Sequence, residues 1–103
     1  MMTITPEAAK QIQLSAQHSQ AQGLPLRIAA ERKADGHFHY QMGFDEVQQV
    51  GDVVFAQEGV SVIIDAVSAR LLKGAWLDFV DLEGRLEFVF MNPNDPHYRP
   101  PQV

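Results

Sequence analysis

Residues 59–80, GVSVIIDAVSARLLKGAWLDFV, decide most of the expected fold. The first part, VSVII, is a run of mostly β-branched side chains with the length of a strand. Asp65 then stands at the position of a helix N-cap, and Gly74 stands where a left-handed residue ends a helix. The pattern predicts a strand, a short helix near 66–73 and a second strand over 75–80.

The side chains of this segment also indicate which surfaces are buried. In the short helix, the apolar spacing predicts one buried side formed by Ala66, Val67, Ala69, Leu71 and Leu72. In the strand that follows, we expect the single tryptophan, Trp76, to anchor either the core or an interface.

The preceding part of the chain predicts a helix and a hairpin. Thr5 and Pro6 form a helix start, and the helix is expected to end before Gly23. Apolar residues then alternate with more polar ones over residues 24–31, which indicates a strand with one buried face. The pair Asp35-Gly36 is a strong turn signal before a second, aromatic-rich strand.

The remaining segments complete a mainly β chain that also contains helices, of the α+β class. We expect a polar loop over 45–51, a short strand over 52–55 and a last strand over 86–90. The sequence NPNDP that follows opposes further strand pairing. This organisation predicts one domain over residues 1–95 and a flexible, proline-containing tail over 96–103.

Composition narrows the classes of function. The net charge of −5 and the lack of a basic cluster argue against nucleic acid as a partner. No apolar run is long enough to span a membrane, and no secretory signal is visible, so a cytoplasmic location is expected. The 103 residues contain no cysteine, which excludes thiolate catalysis and thiolate metal ligands from this chain.

Four stretches carry a resemblance to a known family: ITPEAAKQI, LPLRIAAERKADGHFHYQMGF, DVVFAQEGVSVIIDAVSARLLKGAWLDFV and FVFMNPN. In this order and roughly this spacing, they resemble the HesB-like A-type iron–sulfur cluster carriers. The resemblance implies two small packed mixed β-sheets with an N-terminal helix. It also implies an activity, the receipt and delivery of iron–sulfur clusters or iron through three cysteines, commonly across a dimer.

The chain departs from the family pattern at each of those cysteines. The first falls on Ala34 or Asp35, depending on where a one-residue gap is placed, and the other two fall on Arg99 and Pro101. None of these side chains is a thiolate. The resemblance therefore identifies a cysteine-less member, for which a conventional cysteine-ligated iron–sulfur cluster is not expected.

Three functional hypotheses follow. The first is an accessory or interaction protein without catalytic activity, with protein partners in iron–sulfur cluster assembly and a homodimer as a possible state. The second is an iron- or zinc-binding protein, in which His37 and His39 project from one face of a strand and Asp35 lies in the adjacent turn. The resemblance implies that the tail approaches this hairpin, so that His97, Asp95 or Tyr98 would complete the site. The alternative for the two histidines is a solvent-facing strand without metal.

The third hypothesis is an enzyme, and few features of the sequence support it. There is no Gly-x-Ser-x-Gly motif, no glycine-rich phosphate loop and no recognisable pair of carboxylates. Ser61 and Ser68 have no evident base as a partner. The protein is therefore expected not to be an enzyme.

Overall fold

The computed structural model describes residues 2–96. Within them, seven strands are combined with two helices. The predicted mainly β fold with an N-terminal helix and a short second helix is confirmed. None of the helices in the described part of the chain is long and apolar enough to cross a membrane. The elements are β1 (Thr3–Ile4), α1 (Pro6–His18), β2 (Leu26–Arg32), β3 (Phe38–Phe44), β4 (Val53–Gln57), β5 (Val60–Ile64), α2 (Ala66–Leu71), β6 (Trp76–Leu82) and β7 (Arg85–Met91).

The strands form two mixed sheets, as the family resemblance implied. One has four strands in the order β3-β2-β5-β4, and the other has three in the order β1-β6-β7. In the first sheet β2 is antiparallel to β3 and parallel to β5. In the second, β1 is parallel to β6, and β6 is antiparallel to β7. Strand β1 was not predicted, because two residues are too few to show an alternating pattern.

Both helices begin at the residues that the sequence indicated. The Thr5 side chain accepts a hydrogen bond from the Ala8 backbone N–H at 3.1 Å, and Pro6 opens α1. The Asp65 side chain accepts one from the Ser68 backbone N–H at 2.9 Å. Gly74 has a φ of +78°, the left-handed conformation predicted for the end of α2.

The core lies between the two sheets and under the helices. Four of its most buried side chains come from β2, β5, β6 and the end of α2, and each is at most 1% exposed. They are Ile28, Val62, Leu77 and Leu72. Full burial of a side chain of this size stabilises a fold by about 1.5–3 kcal/mol. Trp76 is 49% exposed, so the core role considered for it is wrong.

The buried side of α2 differs from the predicted one. Val67 is 62% exposed, whereas Ser68 is 2% exposed and faces β2. The Ser68 hydroxyl accepts a hydrogen bond from the Ala30 backbone N–H at 3.0 Å and lies 3.1 Å from the Ala30 carbonyl oxygen. Strand β2 pairs with β5 only at its first two residues, so the serine hydroxyl replaces the missing strand partner of Ala30.

Replacement of Ser68 by alanine is expected to lower the free energy of unfolding by about 1–3 kcal/mol, because the buried backbone groups of Ala30 lose their partner. Urea unfolding measures this loss. Ser61→Ala is the matched control, since Ser61 is exposed on β5 and a surface substitution changes stability by about 0.5 kcal/mol or less. Equal effects of the two substitutions would contradict the role assigned to Ser68.

Candidate functional site

The hairpin between β2 and β3 contains the first position at which the family places a cysteine. Residues 33–37 form the turn, in which the Lys33 N–H donates to the His37 carbonyl at 2.8 Å and the Gly36 N–H donates to the Lys33 carbonyl at 2.9 Å. Gly36 has a φ of +93°, which confirms the turn signal of Asp35-Gly36. Ala34 and Asp35 are both exposed in this turn.

Asp35 and His37 contact each other in the turn. The backbone N–H of His37 donates to Asp35 Oδ1 at 3.1 Å, and the ring Nδ1 of His37 contacts the same oxygen. His37 was expected within the second strand, but β3 begins only at Phe38. The local Asx-type turn explains the difference, because it holds His37 outside the regular ladder.

His39 lies on β3, exposed, directly opposite Glu31 of β2. Glu31 also forms an ion pair with Lys33 at 2.7 Å, and this hydrogen bond lowers the pKa of the Glu31 carboxyl. The outer face of the hairpin therefore carries charges of both signs.

The four predicted metal ligands are only partly brought together. Asp35 contacts His37, and His39 follows two residues later, whereas His97 lies outside the described residues. Within residues 2–96, no three His, Asp or Glu side chains are grouped so that they could hold a metal ion. The other two former cysteine positions, Arg99 and Pro101, also lie outside the described residues. The metal site stays a prediction.

Asn92 connects the end of the last strand to α2. Its side chain is 1% exposed, and its Nδ2 donates to the Leu71 carbonyl at 2.8 Å. Its Oδ1 accepts from the Asn94 backbone N–H at 3.0 Å, and Asn94 Nδ2 donates to the Lys73 carbonyl at 2.7 Å. The two asparagines thus satisfy carbonyl groups that the end of a helix leaves without partners. The sequence indicated only that this segment ends the strand.

Tyr40 fixes the chain just beyond these asparagines. Its hydroxyl donates to Asp95 Oδ2 at 3.1 Å, and its ring stacks on Phe90 with centroids 4.3 Å apart. Burial raises the pKa of Tyr40 to about 12, so the phenol keeps its proton at neutral pH. The start of the C-terminal segment therefore lies beside β3, the second strand of the hairpin.

Arg27 organises a second region, which the sequence indicated only as a polar loop. Its guanidinium binds Asp45 at 2.8 Å and Asp52 at 2.7 Å, and it donates to the Val47 carbonyl at 2.9 Å. Asp52 also accepts from the Gln49 backbone N–H at 2.8 Å. These contacts hold the loop between β3 and β4 against the sheet. No local sequence pattern reveals them, because the arginine and its partners are 18 and 25 residues apart.

This loop is expected to loosen in acid. The hydrogen bond from Arg27 lowers the pKa of Asp52, and the backbone hydrogen bond from Val47 and the bond from Arg27 lower that of Asp45. Because both pKa values are depressed by folding, the stabilisation is complete above the ordinary aspartate range of about pH 4 and is lost as pH falls below it.

Hydrogen exchange of the loop amides between about pH 6 and pH 2.5 measures this effect. The exchange rates, corrected for their intrinsic pH dependence, should rise in residues 46–52 before they rise in the core strands. Arg27→Gln should show the fast exchange already at pH 6. Loop protection that persists to pH 2.5 in the folded protein would contradict the role of the two carboxylates.

Comparisons with known proteins agree with this architecture. The family model described as iron-sulphur cluster biosynthesis matches residues 1–95. An Aquifex aeolicus (strain VF5) protein is 38% identical over 92 residues, which are 88% of this chain and 78% of the relative. The iron-sulfur cluster insertion protein ErpA of Alkalilimnicola ehrlichii is 33% identical over 94 residues, which are 90% of this chain and 76% of the relative.

A solved structure shows the same fold. The crystal structure of IscA with the [2Fe-2S] cluster superposes with a TM-score of 0.75 at 25% identity, over 90% of this chain and 86% of that one.

Proposed function

This chain belongs to the iron-sulphur cluster biosynthesis family, and on that basis we propose that it is a non-catalytic accessory or interaction protein of iron–sulfur cluster assembly. The predicted family resemblance is thereby confirmed. One observation carries the proposal: the described residues have the family fold, while the 103 residues of the chain include no cysteine. The donor set does not fit a conventional cluster, because such clusters are held by cysteine thiolates.

The hairpin turn supports this view. Asp35 occupies one of the two candidate positions of the first family cysteine, and its carboxylate is engaged by His37. The other candidate, Ala34, has no donor atom in its side chain. The turn, with Gly36 at a left-handed position, therefore presents a local Asp–His contact and no thiolate.

The proposed partners are other proteins of cluster assembly. The relative named ErpA is a cluster insertion protein, and the superposed IscA structure contains a [2Fe-2S] cluster, so both names connect the family with cluster transfer. A homodimer and a cytoplasmic location, both expected from the sequence, belong to the same proposal.

Affinity capture from the source organism tests the proposal. A tagged chain, crosslinked in the cell and purified, is expected to recover proteins of iron–sulfur cluster assembly above a tag-only control. A Leu77→Asp variant, which introduces a charge at a fully buried position, is the unfolded control that should lose them. Recovery of unrelated proteins alone would contradict the proposed function.

A second candidate function is the binding of iron(II) or zinc by His37, His39, Asp35 and His97. The contact between Asp35 and Nδ1 of His37 favours it, because a carboxylate on one ring nitrogen orients many metal-binding histidines. Nitrogen and oxygen ligands of this kind suit iron(II) and zinc rather than a sulfur-rich cluster.

Elemental analysis of tag-free protein, prepared anaerobically with iron or zinc supplied, decides this candidate. Near-stoichiometric metal that disappears in a His37→Ala, His39→Ala double variant would establish the site. His18→Ala is the matched control, since His18 is exposed at the end of α1 and is expected to leave metal content unchanged. Absence of metal in the unmodified protein would rule the candidate out.

A further inference from the structure

Strand β4 presents an open edge. It is the last strand of the four-stranded sheet, and within residues 2–96 it pairs only with β5. Because the two-residue turn Glu58-Gly59 joins the strands, the residues on either side of it, Gln57 and Val60, form a hydrogen-bonded pair. Hydrogen-bonded pairs alternate along an antiparallel ladder, so the backbone groups of Val53, Phe55 and Gln57 point towards β5. The backbone N–H and C=O groups of Val54 and Ala56 therefore point away from the sheet.

This edge lacks the features that normally prevent strand addition. The sequence of β4, VVFAQ, has no proline, lysine or other charged residue, and its register with β5 is continuous without a bulge. Val53 and Val54 are 37% and 50% exposed. Val47 and Val50 are also exposed in the preceding loop, which Arg27 holds in place. Exposed apolar side chains are thus present both on the edge strand and in the loop before it.

An apolar cavity of about 330 Å³ opens beside the edge, between β4, β5 and α2. Apolar side chains line most of it, and two cationic side chains, Arg70 and Lys73, complete the lining. Neither cation forms an ion pair within the described residues, although the chain has a net charge of −5. The apolar lining consists of Met2, Val53, Phe55, Ile64, Ala69 and Leu72.

We propose that the β4 edge binds an extended, acidic segment of a partner protein. The segment adds as a strand beside Val54 and Ala56, inserts an apolar side chain into the cavity and places a carboxylate against Arg70 and Lys73. Charge complementarity favours such a partner over a second copy of this chain, because β4 itself carries no acidic residue to pair with the two cations. The inference rests on the proposed function of an interaction protein and names the surface and the chemistry of its partner.

A displayed library of eight-residue peptides is the probe for this site. Selected peptides are expected to alternate apolar with other residues and to contain Asp or Glu, and their binding should shift the amide resonances of β4. Ala56→Pro should weaken binding at least about tenfold, because proline removes an outward N–H and keeps the bonds to β5. Arg70→Gln with Lys73→Gln should remove the preference for acidic peptides.

Leu86→Pro is the matched control. Leu86 is the second residue after the two-residue turn of the β6–β7 hairpin and lies opposite Asp81 in a non-hydrogen-bonded pair, so its N–H points outward from the edge of the other sheet. This variant should bind the selected peptides as the unmodified protein does. Thermal unfolding confirms that each proline variant is folded, and the Arg70, Lys73 double variant tests the site without any backbone change.

Several results would overturn the proposal: no selected peptide, resonance shifts confined to another surface, or equal loss of binding in the two proline variants. A dimer that Ala56→Pro dissociates would assign the edge to a second copy instead. If affinity capture still recovers assembly proteins with Ala56→Pro, the docking surface is wrong and the proposed function stands. If peptides bind as expected but only unrelated proteins are captured, the surface stands and the proposed function fails.

Discussion

Replacement of Asn92 by alanine is expected to lower the free energy of unfolding by about 2–4 kcal/mol, because it removes a buried amide with two backbone partners. The Leu71 carbonyl at the end of α2 loses its bond to Nδ2, and the Asn94 N–H loses its bond to Oδ1. Both losses affect the junction between α2 and the segment after β7. Urea unfolding followed by circular dichroism measures the change.

Asn94→Ala provides the control for this prediction. Asn94 also donates to the Leu71 and Lys73 carbonyls, but it is exposed, so water can replace its side chain. We expect a cost of about 1 kcal/mol or less for this variant. An Asn92→Ala protein that is as stable as Asn94→Ala would show that the buried amide does not hold this junction.

Introduction of cysteines at the three positions that the family resemblance indicates is expected to produce a cluster-binding protein from a chain without cysteine. Two triple variants are required, Ala34→Cys or Asp35→Cys, each with Arg99→Cys and Pro101→Cys, because the resemblance leaves the hairpin position open. Anaerobic reconstitution with iron and sulfide should give one of them the visible absorption of a cysteine-ligated cluster. The expectation rests on the β2–β3 turn, which is ordered by backbone hydrogen bonds and exposes both candidate positions.

The control for this experiment moves the first cysteine to another turn. Glu83→Cys, combined with the same two C-terminal cysteines, places an exposed thiol in the β6–β7 turn instead of the β2–β3 turn. This variant should not assemble a cluster of the same stoichiometry. Two results would contradict the expectation that the β2–β3 turn positions the first cysteine for a cluster: equal cluster assembly in the control, or no cluster in either variant with a cysteine in the β2–β3 turn.

Local chemistry made much of the fold predictable. Thr5 and Asp65 cap their helices through contacts three residues ahead, and such contacts are visible in a short stretch of sequence. The turns at Gly36 and Gly74 were predictable because few residues other than glycine adopt a positive φ. The alternation in β2 was predictable because Leu26, Ile28 and Ala30 face the core.

Distant contacts explain what the sequence did not reveal. Ser68 is buried because β2 separates from β5 and exposes the backbone of Ala30, a residue 38 positions away. Asn92 is buried because α2 ends beside it. The same limit applies to the candidate site, where the contact of Asp35 with His37 is local, while the cavity beside β4 combines Met2 with residues that follow it by 51 to 71 positions, from Val53 to Lys73.

This protein has the fold of its iron-sulphur cluster biosynthesis family but no thiolate with which to hold a cluster. The proposal that it binds no cluster can be checked by anaerobic reconstitution of the unmodified chain with iron and sulfide, followed by iron and sulfide analysis after desalting. We expect no retained sulfide and no visible absorption from a cluster. Retention of iron and sulfide in near-equal amounts, close to one cluster per chain or per dimer, would contradict it.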